Sequence, residues 1–109
     1  MKRYAVELSE QALLDLDDIA DYIALNDGAD RGEYVAKGIE RTYASLAVFP
    51  NRGAYPQELL EMGVRDFREI HFKPYRIIYR VYARKVVVFL IADGRRDMRT
   101  LLARRLLGA

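Results

Sequence analysis

The chain has 109 residues, 51% of them hydrophobic and 31% charged, which suits one domain with one modest core, residues 1–109, and leaves no room for a second. It has no cysteine and a single histidine, His71, which excludes disulfides, thiolate metal sites and cysteine nucleophiles and leaves any histidine-based site resting on one residue. The formal net charge of +2 hides a division: residues 1–61 hold 6 Lys/Arg against 12 Asp/Glu, and residues 62–109 hold 12 against 4, net −6 and +8.

From the N-terminus, Met1-Lys2-Arg3-Tyr4 shows no apolar run or cleavage site, so no secretory signal is expected and the protein reads as cytoplasmic. No apolar run approaches the roughly 20 residues of a membrane span. Arg3–Leu8 alternates, with Tyr4, Val6 and Leu8 on one face, and predicts a first strand. Ser9 can cap a helix from Glu10 to about Leu25, whose Ala12, Leu13, Leu16, Ile19, Ala20 and Ile23 recur at helical spacing opposite Asp15, Asp17, Asp18 and Asp21. Asn26-Asp27-Gly28 breaks it. Asp30 and Glu33 then have capping-box spacing for a second helix carrying Val35, Ile39, Tyr43 and Leu46, which ends before Phe49-Pro50. The pair predicts an antiparallel helical hairpin laid on a sheet, its second member weakened by Gly32 and Gly38.

Residues 51–63 read as a loop without a phosphate-cradling pattern. Val64–Phe72 is a strand whose alternation slips between Phe67 and Ile70, which suggests a bulge there. His71 falls in this strand and reads as a sheet residue, with proton transfer as the functional alternative. Tyr75–Tyr82 and Val86–Asp93, separated by Ala83, Arg84 and Lys85, predict an antiparallel hairpin. Alternation places Tyr75, Ile77, Tyr79 and Val81 on a core face and Arg76, Ile78, Arg80 and Tyr82 on a displayed one. The second strand is apolar on both faces and should be central. Asp97 can cap a last helix with Leu101, Leu102, Leu106 and Leu107 opposite Arg99, Arg104 and Arg105. The fold class is α+β: strand, two-helix hairpin, three antiparallel strands, helix.

Clustered cations favour phosphates or an acidic protein segment, because summed charge raises the local concentration of anionic partners. No metal or cofactor is expected. The element order, YRIIYRV (75–81), VVVFLIADGRR (86–96), Arg68-Glu69-Ile70 and the Phe49-Pro50 helix end together resemble the RelE/ParE superfamily of type II toxin–antitoxin toxins over nearly the whole chain. That resemblance implies a toxin held inactive by a cognate antitoxin with a DNA-binding N-terminus.

RelE-like members cleave mRNA at the ribosome, and the resemblance maps their cations onto Arg68, Arg76 and Arg96. Cleavage also needs a group that activates the 2′-OH. The tyrosine that RelE-like members commonly carry near the C-terminus is missing here, with leucine in its place in the stretch 97–103. The chain is thus more similar to the ParE branch, which acts on DNA gyrase without nucleolytic chemistry. A gyrase inhibitor and a ribosome-dependent endoribonuclease both remain open, beside a plain binding module or inactive relic. Arg76, Arg80, Tyr82, Arg95, Arg96 and Arg99 are the candidate contacts to target or antitoxin. DNA would be met only indirectly, through the antitoxin or gyrase.

Overall fold

Four strands form one sheet in the computed structural model, which describes residues 3–108. Met1 and Lys2, part of the segment read for a leader, lie outside the described residues, as does Ala109. The strands are β1 (Ala5–Leu8), β2 (Arg68–Phe72), β3 (Tyr75–Val81) and β4 (Lys85–Asp93), in the order β1-β4-β3-β2. β2, β3 and β4 form an antiparallel meander, and β1 lies parallel to β4. Parallel neighbours need a crossover, and α1 (Glu10–Asp27) with α2 (Ala29–Ala44) supplies it. The central place expected for the second hairpin strand is observed, with β4 between β1 and β3. A 3₁₀ turn (Ser45–Ala47), α3 (Gln57–Leu60) and α4 (Met98–Leu107) complete the α+β fold. Among the described residues, no helix is long and apolar enough to cross a membrane.

Alternation along β4 holds only part of the way. Ile77 pairs with Ile91 and Ile78 with Leu90, but Tyr79 pairs with Val88, so Phe89 is an extra residue opposite that step. A bulge resets strand parity. Val86 and Val88 therefore share their core with Ile91, while Phe89 packs with Leu90 and Ala92 on the other side. The irregularity expected between Phe67 and Ile70 lies instead in the β3–β4 ladder, and β2 begins only at Arg68.

Both faces of the sheet are covered. Ala12, Leu16 and Ile23 of α1 and Val35 and Ile39 of α2 pack on Ile77, Tyr79, Val86 and Val88. Beneath the sheet, Leu59 of α3 and Met98 and Leu102 of α4 bury Phe67, Ile78, Leu90 and Ala92. The open arginine face expected for β3 is thus corrected: Ile78, between Arg76 and Arg80, is fully buried under a second, smaller core. The segment expected as a loop supplies part of that cover through α3.

Ser9 caps α1 as expected, its hydroxyl accepting from the Ala12 N–H at 3.1 Å. Only Gly28 separates the two helices, and its φ of 101° with ψ of 155° is a conformation open essentially to glycine. α2 starts one residue later without a side-chain cap, so the expected capping box at Asp30 and Glu33 is not formed; Glu33 pairs with Lys37 instead. Gly38 lets the Phe72 ring approach the α2 backbone, where any Cβ would overlap the ring. The glycine read as a weakness of the helix is a packing requirement.

Candidate functional site

Strand alternation turns Arg76 toward α3, where it meets two carboxylates. Its Nη1 and Nη2 donate to Glu58 Oε2 and Oε1, both at 2.8 Å, and its Nε donates to Glu69 Oε1 at 2.6 Å. Only 12% of the side chain remains exposed. The Glu58 hydrogen bond raises the guanidinium above its ordinary pKa, against the opposing effect of burial. Reciprocally, Arg76 holds the Glu58 carboxyl below the usual carboxylate range. Arg76 is therefore a fully engaged cation with two counter-charges. His71 is exposed on edge strand β2, its Nε2 3.7 Å from Glu69 Oε1.

The other candidate arginines separate into distinct environments. Arg68 donates to the carbonyl of Gly53 at 2.8 Å and stacks over Tyr55 at 4.6 Å, which ties it to the loop before α3. Arg80 lies over the rings of Phe67 and Tyr82, at 6.0 and 5.2 Å. Arg95 grips Asp93 through its backbone N–H and side chain and depresses the Asp93 pKa chiefly through that side-chain hydrogen bond. Arg99 donates to Glu61 at 3.0 Å. Arg96 is exposed in the turn after β4. Tyr79, in contrast, is buried, its hydroxyl accepting from the Gly53 N–H at 3.0 Å.

Sequence reasoning missed the clasp between Asp15 and Arg105, which it placed on solvent-facing sides of their helices. β1 pairs with β4 only as far as Val88, so the rest of that β4 edge lacks a strand partner. Asp15 Oδ2 accepts from the Ile91 N–H at 3.0 Å, Arg105 Nη1 donates to the Phe89 carbonyl at 3.1 Å, and the two side chains join at 2.7 Å. A carboxylate and a guanidinium 90 positions apart thus replace the missing strand. Glu58 and Glu69 were missed for the same reason, since nothing local in the sequence ties them to Arg76.

A groove of about 1080 Å³ opens between the helical hairpin and the C-terminal end of β4. The hairpin contributes Asp18, Tyr22, Asp27 and Arg31 to the lining, and the end of the sheet contributes Lys73, Asp93, Arg95 and Arg96. Ile91 and Tyr75 also line the groove, and burial pushes the Tyr75 phenol up. A lining that mixes both signs of charge with apolar side chains suits an extended peptide of mixed charge better than a small apolar ligand. Among the described residues, no group of three or more His, Asp or Glu side chains is placed to hold a metal ion.

Residues 6–98 match the family model described as the ParE toxin of the type II toxin–antitoxin system parDE. The chain belongs to the ParE toxin family. Toxin ParE3 of Caulobacter vibrioides is a relative at 29% identity over 91 residues, covering 84% of this chain and 87% of that protein. Among solved structures, the chromosomal ParDE system from P. aeruginosa superposes with a TM-score of 0.71 at 21% identity, over 84% of this chain and 96% of that one. The toxin–antitoxin complex RelBE2 from Mycobacterium tuberculosis gives 0.59, also at 21% identity, over 85% and 93%. At such identities these two similarities concern the fold. The ParE family match spans β1 to the first residue of α4, so it includes the Arg76 cluster and the groove, whereas Arg99 and Arg105 lie beyond it.

Proposed function

We propose that this ParE-family chain is the toxin of a type II module, neutralised in the cytoplasm by a cognate antitoxin and acting on DNA gyrase. The ribonuclease alternative requires free cations to take up charge on a developing phosphorane. The observation that weighs most against it is the saturation of Arg76 by Glu58 and Glu69. A guanidinium whose fork is already filled by carboxylates offers a phosphate little. Leucines also occupy the last helix where a phenol would be needed, with Leu102 fully buried in the lower core.

The groove fits the antitoxin, whose tail would set apolar residues on Ile91 and Tyr75 and acidic ones toward Lys73 and Arg96. Arg95 and Arg99, each held by its own carboxylate, and the stacked Arg80 and Tyr82 remain candidate contacts for target or antitoxin.

Purified gyrase, supercoiled plasmid and added toxin test the target. Linear plasmid released by protein denaturant is the expected product, and mRNA on translating ribosomes should stay intact. Discrete cuts in ribosome-bound mRNA with gyrase unaffected would transfer the chain to the ribonuclease reading.

A further inference from the structure

Seven of the ten arginines of the basic half fall into two groups. Arg76, Arg95, Arg99 and Arg105 each bind a carboxylate. Among the described residues, Arg65, Arg68 and Arg80 bind none; they are collected instead by aromatic rings along the β2 edge and the adjoining lower face. Arg65 and Arg68 lie over Tyr55 at 5.9 and 4.6 Å, and Arg80 lies over Phe67 and Tyr82. Arg52 continues the strip, anchored by a 3.0 Å hydrogen bond from its Nε to the Ser45 hydroxyl. Asp66 is the one acidic residue within the run 62–68, which nets +1, and Arg52 and Arg80 add two further positive charges to the strip.

We infer that this strip, Arg52, Arg65, Arg68 and Arg80 on a scaffold of Tyr55 and Tyr82, binds the phosphate backbone of duplex DNA directly and without sequence preference. Stacking holds a guanidinium plane against a ring, and for Arg65 and Arg80 it leaves the N–H edge available to phosphate oxygens, whereas Arg68 spends Nη1 on the Gly53 carbonyl and Nη2 on the Tyr55 hydroxyl and contributes chiefly its charge. Four cations with no carboxylate partner among the described residues can also release condensed counterions, which drives nonspecific DNA binding. The rings favour a duplex over a single strand. Phe67 is buried and the rings of Tyr55 and Tyr82 already carry guanidiniums, so little free ring face is left on which unpaired bases could stack. The inference is independent of the gyrase reading, because it concerns what the toxin touches rather than what it inhibits.

Fluorescence anisotropy with a labelled random duplex of about 30 base pairs and the full-length toxin alone tests it, since the backbone term falls linearly on a log–log salt plot by about 0.9 per phosphate contacted. Binding with a slope of about −3 is expected, with Arg65→Ala/Arg80→Ala flattening it by about 2 and weakening affinity at least tenfold. Lys37→Ala, which removes a cation of α2 already paired with Glu33, should change affinity less than threefold. Circular dichroism on both variants confirms that each is folded. No duplex binding at low salt, an unchanged slope in folded Arg65→Ala/Arg80→Ala, or tighter binding to a single strand of equal length would each overturn the inference. Gyrase poisoning by a toxin that fails these tests would leave the gyrase reading intact, and DNA binding without poisoning would do the reverse.

Discussion

Replacing Arg76 with alanine strands two carboxylates, since the Glu58 and Glu69 side chains keep only 24% and 11% of their exposure. Removing one partner from such a pair leaves uncompensated charge, and a loss of about 2–4 kcal/mol is expected in urea denaturation at neutral pH. The pH dependence has a definite sign. The Arg76 hydrogen bond depresses the Glu58 pKa in the folded protein, so its contribution is full above the unfolded carboxylate value and disappears as pH falls through the folded one. The gap between wild type and Arg76→Ala should therefore start to close as pH falls below about 4 and vanish only beneath the folded-state Glu58 pKa. Equal stability at pH 7 would show that the cluster does not support the fold. The sequence placed Arg76 correctly on its strand face, but its counter-charges come from α3 and β2, and alternation along one strand cannot report what lies opposite.

Among the elements, α4 depends most on contacts that the chain order hides. Its periodicity and the Asp97 cap were legible, and Asp97 does accept from the Thr100 N–H. Its position was not. Arg105, read as a solvent-facing residue, reaches the Phe89 carbonyl and Asp15 across the unpaired edge of β4. Asp15→Ala should leave the Ile91 N–H without its acceptor and Arg105 without its counter-ion, at a cost of about 2–3 kcal/mol. Hydrogen exchange is the sharper measurement: the Ile91 amide should lose protection before the amides of β3 do. If Ile91 stays as protected as Ile77, the clasp is not what closes that edge. The same local reading failed at α2, where Asp30 and Glu33 have capping-box spacing but Gly28 is the N-cap and the helix starts two residues earlier.

Across the whole molecule, charge is distributed unlike its sequence division. α1 carries six acidic residues and no basic one, and among the described residues only Asp15 of these is in an ion pair. Several of the arginines in the basic half are neutralised internally, so the exposed potential is more acidic along α1, and more localised at Arg96 and the β2 edge, than a sum over residues implies. An antitoxin tail seated in the groove would meet both signs of charge among apolar side chains. Co-expression with the neighbouring antitoxin should give a complex that survives moderate salt, and Tyr22→Ala/Tyr34→Ala, which removes two exposed rings of the groove lining, should weaken it roughly tenfold in calorimetry. An unchanged affinity would place the tail elsewhere.

The sequence alone determined the element order, the helical hairpin, the central strand and the family resemblance, because these rest on periodicity and turn chemistry within short windows. Tertiary structure decided the rest. A single extra residue, Phe89, reassigned the faces of β4; a four-residue helix at Gln57–Leu60 turned an open arginine face into a second core; and the partners of Arg76 and Arg105 arrive from 7, 18 and 90 positions away. Charge, unlike hydrophobic period, has no local signature of whether it is free. That depends on which side chain lies opposite, and only the packed molecule sets that distance.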